Sequence, residues 1–492
     1  MKALWQLMLH HYSTISLTFV VLIAVFTILR IIRDTKDATK TLAYILLVFL
    51  VPVLGSIIYF SFGVNYRKRK LFSKKIATND RLFAQMEQSM MAKSRKIIAQ
   101  EQPLLQNQYG LANQLLTDAH ANISYNKVSL LINGEQKFPE VLAALAAAKH
   151  FIHLEYYIFE DDDIGNSIID ILKEKALSGV AVRMIYDDFG SHGLQFGTLA
   201  DMRAAGIEVL PFFEVKFYLL ANRINYRDHR KIIIVDGKVG FTGGINVADK
   251  YLNKGDTAEL YWRDTHLMIE GAAVNSLQYH FIANWNFCTG QTLALVPNFF
   301  SQDEAPPHDH KDLVQIVAGG PDYPTSTIML TFFSAISNAQ EKIYITSPYF
   351  IPNDSINDAL KAAALSGKDV RLLLPGISDS KLVNAAAHSY FNDLLASGVR
   401  IYLYQKGFVH AKTLVADHNL GIIGTANMDV RSFDLNFEIN AVIYGRQVAD
   451  ALTATFFNDL NYAEEIDYAR WQQRKWWNQL GNDVARMLSP LL

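Results

Sequence analysis

The sequence holds one cysteine in 492 residues, Cys288. That excludes an intramolecular disulfide and any zinc centre built on several thiolates, and it fits a reducing compartment. Charge is scarce as well: Asp, Glu, Lys and Arg make up 19% of the chain, and the formal net charge is -2. A near-neutral chain carries no global electrostatic footprint for nucleic acid. No A-x-A-like cleavage site follows the apolar N-terminus, and Lys2 stands alone where a leader would be basic, which argues against a cleaved signal peptide. The length excludes a mini-protein that needs covalent staples and leaves chain for two or three domains.

Hydrophobic residues are abundant, half of the total, and the excess is concentrated at the start. Residues Ser13 to Leu29 carry no charge, and neither do Thr41 to Tyr66. Each run is near the roughly 20 residues a helix needs to cross about 30 Å of hydrocarbon, and Pro52 and Gly55 are tolerated in membranes. The reading is a transmembrane hairpin within residues 1–70, with spans at about 12–32 and about 41–64. Arg67, Lys68, Arg69, Lys70, Lys74 and Lys75 follow the second run, against Arg30, Arg33, Lys36 and Lys40 between the runs. The excess of basic residues after the second run places the body in the cytoplasm. The 67–70 collar also suits anionic headgroups.

Beyond residue 110 strand-like and helix-like segments alternate, an α/β pattern, and the chain repeats itself. Ala176-Leu177-Ser178-Gly179 with Val182-Arg183 recurs as Ala364-Leu365-Ser366-Gly367 with Val370-Arg371. Ala204–Leu210 matches Ala396–Leu403, and Ile152–Phe159 matches Ile343–Phe350. The division is a basic, helical connector at 71–110, a first lobe at 111–300, a Pro- and charge-rich linker at 301–312, a second lobe at 313–465, and an amphipathic tail at 466–492. His308-Asp309-His310 has metal-ligand chemistry but reads as exposed linker.

The sharpest repeat is His229-x-Lys231-x4-Asp236 followed by Asn246, matched by His410-x-Lys412-x4-Asp417 followed by Asn427. One such match is weak, but two inside a longer repeat are strong. Alternation puts His and Lys on one face of a strand. Asp236 precedes Gly237 in a hairpin-turn signal, and Asp417 holds the matching place. Both aspartates are therefore expected to bond turn amides rather than substrate, although they belong to the candidate catalytic set His229, Lys231, Asp236, His410, Lys412 and Asp417.

Two copies face to face surround one pocket with two imidazoles, two ammoniums and two carboxamides. That set suits a phosphodiester. Lys and Asn hold the non-bridging oxygens, one His attacks phosphorus, and the other protonates the leaving oxygen. The chemistry needs no metal and no cofactor. Each His also wants a carboxylate on its second nitrogen. The candidates are Asp264 in the first half and Glu438 in the second.

The duplicated motif resembles that of the phospholipase D superfamily. With the two apolar runs, "PVLGSIIYFSFG", "HRKIIIVDG", "SPYFIP", "GTANMDVRSFDLNFEIN" and "LSPLL", the chain is similar over nearly its whole length to bacterial cardiolipin synthases of the two-motif type. The resemblance implies two phospholipase D-like α/β/α lobes related by a pseudo-twofold, behind an N-terminal two-helix transmembrane hairpin. It implies a multi-pass protein of the bacterial inner membrane with its catalytic body on the cytoplasmic side. The implied reaction is reversible transfer between two phosphatidylglycerol molecules, donor and acceptor, giving cardiolipin and glycerol through a phosphatidyl-histidine. His229 is the implied nucleophile and His410 the acid and base, roles a pseudo-twofold leaves interchangeable. Lys231, Lys412, Asn246 and Asn427 match the family's phosphate-binding positions, and Asp264 and Glu438 its His-orienting acids.

Both substrates are lipids, so the bilayer is the expected partner. Phe217-Tyr218-Leu219-Leu220 with Arg223 and Arg227 reads as an interfacial segment or a buried element, and Trp471, Trp476 and Trp477 with Arg470, Arg474 and Lys475 suit a membrane interface. No nucleic-acid partner is expected, and a homo-oligomer stays open. A phospholipase D using water, a synthase using phosphatidylethanolamine or serine, a tethered nuclease and a non-enzymatic scaffold are the alternatives. The intact His, Lys and Asn in both halves argue against the scaffold.

Overall fold

The computed structural model describes residues 12–34, 38–62, 90–213, 226–253, 260–290, 293, 299–300 and 312–487. The linker 301–311, with His308-Asp309-His310, lies outside the described residues. So do the basic collar at 67–70 and the apolar part of the interfacial segment, Phe217 to Leu220 with Arg223. The chain divides into two units, one holding the N-terminal helices and the other both lobes.

In the first unit, α1 (Tyr12–Asp34) is 23 residues long and is, among the described residues, the one helix long and apolar enough to cross a bilayer. The second apolar run differs from the single span expected at 41–64. It forms α2 (Ala38–Leu50) and α3 (Pro52–Phe62), joined at Val51. The break is local chemistry. Pro52 has no N–H and sits at the first position of α3, where none is needed. Gly55 lets the two backbones meet: a Cβ there would lie 2.7 Å from the Leu47 carbonyl oxygen and 2.8 Å from Val48 Cα. Tyr44 stacks edge-on against Tyr59 with ring centroids 5.4 Å apart, although one straight helix would hold them about 22 Å apart. The run is thus a hairpin of two short helices. It packs on the C-terminal half of α1, through Ile31, Val48 and Tyr59 and a Thr27–Ser56 hydroxyl pair at 3.0 Å.

The second unit is built on one 15-stranded sheet. From the first-lobe edge to the centre run β4 (Glu208–Phe212), β3 (Ala181–Asp187), β2 (Phe151–Tyr156), β5 (Lys231–Val235), β6 (Val239–Gly243), β8 (Thr265–Gly271) and β1 (Ile123–Ile132). From the centre outward run β9 (Asp312–Gly319), β18 (Glu438–Tyr444), β16 (Leu420–Gly424), β15 (Thr413–Ala416), β10 (Lys342–Thr346), β12 (Asp369–Pro375), β13 (Arg400–Tyr404) and the short β19 (Ala463–Glu465). β1 and β9 pair antiparallel across the centre, with Ile123 opposite Gln315. Apart from β19, the order reads the same from both edges, which is the pseudo-twofold of the repeat. β2, β3 and β4 are parallel, as are β10, β12 and β13. Helices link these strands, which explains the two Ala-Leu-Ser-Gly helix ends in the sequence.

Each lobe has its own core. The segment before β1 differs from its expected place. Ile97, Ile98, Leu105, Leu111, Leu115 and Leu116 pack into the second lobe's core with Leu313 and Phe332, so residues 111–121 do not open the first lobe. Its apolar side chains needed a partner, and the helix Thr327–Asn338 supplies it.

Candidate active site

Both motif histidines sit just before a sheet strand rather than within it. β5 starts at Lys231 and β15 at Thr413, because the backbone of each His bonds to the other lobe instead of the home sheet. His229 N donates to Phe437 O at 3.0 Å, and His410 N donates to Arg263 O at 2.7 Å. On the second-lobe side, β14 (Gly407–Val409) pairs in parallel with β7 (Tyr261–Arg263), and Asp228 and Phe437 form the matching bridge. Phe437 immediately precedes Glu438, and Arg263 precedes Asp264. The exchange therefore carries each acid to the opposite histidine.

His229 Nδ1 lies 3.0 Å from both carboxylate oxygens of Glu438, and His410 Nδ1 lies 2.7 Å from Asp264 Oδ2. The acids expected to serve their own halves thus serve each other's. Nδ1 being held, Nε2 is the nitrogen left for chemistry in both rings. Both acids are fully buried, and each His is under a tenth exposed. Burial pulls the His229 pKa down to about 4, with Glu438 opposing, and pulls His410 down to about 3, with Lys412 adding to the effect and Asp264 opposing. Burial raises the Glu438 carboxyl, but His229, Lys231 and Thr425 together hold it below its ordinary value.

Lys231 and Lys412 point back on their own motifs, each donating to the carbonyl of its His at 2.7 and 2.5 Å. Burial, then repulsion from Lys412, lowers Lys231 to about 7, and burial lowers Lys412 to about 8. The two ammoniums thus share one low-dielectric pocket, where an anion relieves their repulsion. The carboxamides differ. Asn246 Nδ2 donates to the Tyr251 hydroxyl at 2.7 Å and its Oδ1 accepts from Ile158 N, whereas the Asn427 carboxamide makes no hydrogen bond among the described residues.

The motif aspartates are elsewhere. Asp236 adopts φ +52° and Asp417 φ +54°, left-handed turn positions at the far ends of β5 and β15, about 16 Å from the Lys end of the strand. Asp236 accepts from the amides of Lys149, His150 and Phe151 at 2.8, 2.8 and 2.9 Å. Asp417 accepts from Gln340, Glu341 and Lys342 amides and from Asn107 Nδ2. Their place in a catalytic set is therefore corrected: they anchor the start of the neighbouring strand and do not enter the pocket.

A family model described as the PLD-like domain of cardiolipin synthase matches residues 141–285 and 332–460, one segment per lobe. The chain belongs to the cardiolipin synthase branch of the phospholipase D superfamily. A phospholipase D-nuclease N-terminal model matches residues 20–63, the apolar unit. Among curated relatives, a cardiolipin synthase of Geobacillus sp. (strain WCH70) is 42% identical over 470 residues, covering 95% of this chain and 92% of that one. The major cardiolipin synthase of Bacillus subtilis is 39% identical over 96% of this chain and 98% of that one. The crystal structure of a Haemophilus influenzae phosphatidylserine synthase shares the fold, with TM-score 0.57 at 14% identity over 74% of this chain and 95% of that chain.

Within this cardiolipin synthase fold the sequence reading missed the groups that line the histidines. Tyr157 meets His229 edge-on at 4.9 Å, and Tyr251, Trp262 and Phe408 surround His410 at 5.8, 5.6 and 5.9 Å between ring centroids. Thr425 and Asn436 donate to Glu438. The "GTAN" and "LNFE" strings contained these residues, but only the tertiary contacts give them roles.

Proposed function

We propose that the protein makes cardiolipin by transferring the phosphatidyl group of one phosphatidylglycerol to a second. The observation that carries the reading is the pair of cross-lobe His–carboxylate dyads with two lysines in one buried pocket. Lys231, Lys412 and Asn427 hold the phosphodiester oxygens. His229 Nε2 attacks phosphorus and the bond to the glycerol oxygen breaks, while His410 gives its proton to that oxygen. A phosphatidyl-histidine results, with Glu438 stabilising the charged ring. His410 then takes the proton of the second molecule's headgroup hydroxyl, its oxygen bonds to phosphorus, and the P–N bond breaks. In the resting pocket both imidazoles are neutral at pH 7. The incoming phosphodiester anion supplies the field that lets His410 carry its proton.

The test uses the purified full-length chain in vesicles whose only lipid is phosphatidylglycerol. Glycerol and cardiolipin should appear in equal amounts. Phosphatidic acid without cardiolipin would replace the reading with a phospholipase.

For the membrane, the proposal is that α1 crosses a bacterial inner membrane with the body in the cytoplasm. The α2–α3 hairpin re-enters from that same side. Helices of 13 and 11 residues are about 20 and 17 Å long, short of about 30 Å of hydrocarbon. This arrangement replaces the two-pass hairpin and puts both basic clusters, Arg30 to Lys40 and Arg67 to Lys70, on the positive side. The C-terminal helix Trp476–Met487 is proposed to meet a bilayer interface. It packs through Ala485 on Ala386 and leaves Trp476, Trp477, Leu480, Val484 and Met487 exposed along one face. With Cys288 replaced by Ser, a cysteine at Lys36 should react with an impermeant maleimide only from the cytoplasmic side, and one at Lys2 only from outside. Labelling of Lys36→Cys from outside would restore the two-pass hairpin.

A further inference from the structure

The two dyads use acids of different length at equivalent places. β8 pairs Gly243 with His266, and β18 pairs Gly424 with Asn440, so Asp264 and Glu438 stand at the same position two residues earlier. The turn facing them is equivalent too: Gly244 N donates to Thr265 O at 2.9 Å, and Thr425 N donates to Ile439 O at 3.0 Å. Gly244 therefore corresponds to Thr425.

The atoms around these positions are complementary. In the first lobe, a Cβ on Gly244 would lie 2.1 Å from Asp264 Oδ1, so the carboxylate fills the space a side chain would need. That oxygen accepts from Thr265 N at 2.7 Å. In the second lobe, the corresponding amide, Ile439 N, donates to Thr425 Oγ1 at 2.9 Å. Thr425 Oγ1 in turn donates to Glu438 Oε2 at 2.5 Å. The threonine hydroxyl takes the partner that the aspartate oxygen takes in the other lobe, and the extra methylene of Glu438 carries its carboxylate past that hydroxyl to His229.

We propose that Gly244 and Thr425 are positioning residues that set which acid each dyad uses. Gly244 with Asp264 aims at His410, and Thr425 with Glu438 aims at His229. Glycine at 244 is there for room: its φ lies outside the left-handed region, and no turn demands it. The inference rests on the two-histidine transfer above and adds the residues that aim its acids.

The experiment is a swap in the full-length protein, with cardiolipin formation measured against pH. Gly244→Thr should lower the rate by about 10²-fold, as loss of a fixed outer partner does. Asp264→Glu alone should also lower it, by overshooting His410. Together they rebuild the second lobe's pair in the first, and the double variant should recover at least about tenfold over Gly244→Thr. Thr425→Val should lose about tenfold and move the acid limb of the profile to higher pH, because Glu438 loses a donor to its ionised form; Thr425→Ser should stay within about twofold. A double variant no better than its worse parent, or Thr425→Val with the parent rate and profile, overturns the inference. If Gly244→Thr does not fold, the Val and Ser variants at 425 decide it alone. Wild-type protein that makes no cardiolipin refutes the proposed reaction instead, so the two failures are distinct.

Discussion

Alanine at His229 or at His410 is expected to lower cardiolipin formation by at least about 10³-fold, since in the proposed transfer each removes a nucleophile or a proton carrier. Neither ring is spare. Each has Nδ1 tied to a buried carboxylate, which leaves Nε2 for chemistry, and each hangs from the opposite lobe through its backbone N–H. A substrate with a nitrophenol leaving group separates their roles, because nitrophenolate departs without a proton. With phosphatidyl-nitrophenol, His410→Ala should still release nitrophenol once and retain the phosphatidyl group on the protein, while His229→Ala should do neither. Mass spectrometry of the adduct places it. Attachment at His410 would reverse the assignment, and full turnover in either variant would refute the two-histidine mechanism. The dependence on pH follows from burial. Both imidazoles are lowered, to about 4 and about 3, so acid does not charge them in the empty pocket until well below neutrality. Lys231, at about 7, and Lys412, at about 8, lose protons on the alkaline side, so phosphodiester affinity should weaken as pH rises through that range.

Glu438→Gln and Asp264→Asn are expected to lower turnover by about 10²- to 10⁴-fold, because an amide neither fixes the ring tautomer nor stabilises the imidazolium. The exchange between lobes gives these variants opposite signatures. Glu438 supports His229, so Glu438→Gln should block adduct formation even with the nitrophenol substrate. Asp264 supports His410, so Asp264→Asn should form the adduct with that substrate yet fail to pass it to phosphatidylglycerol. Had each acid served the histidine of its own repeat, the two results would be interchanged. The assay therefore tests the crossing itself, separately from the importance of the acids.

Much of this was legible in one dimension. The repeat announced two α/β lobes, since residues that recur at matched spacing build matched strands. His229, Lys231, His410 and Lys412 stood out because spacing and residue type identify them without knowledge of neighbours. Asp236 announced its own structural use by preceding Gly237, and the turn aspartates do cap amides. Other features were hidden for identifiable reasons. The second apolar run had the length of a span, and composition does not reveal that Gly55 brings α3 against Leu47 and Val48. The helices around residues 97–116 precede the first lobe in sequence, yet their apolar faces found the second lobe's core.

The sequence by itself determined the kinds of group in the pocket, their duplication, and the apolar start of the chain, because these depend on residue type and local periodicity. Which acid serves which histidine was decided only by tertiary structure. Glu438 lies 28 residues from His410 and 209 from His229, yet it bonds to the distant one at 3.0 Å. Strand segments exchanged across a pseudo-twofold set that choice, and residue types alone are symmetric with respect to it.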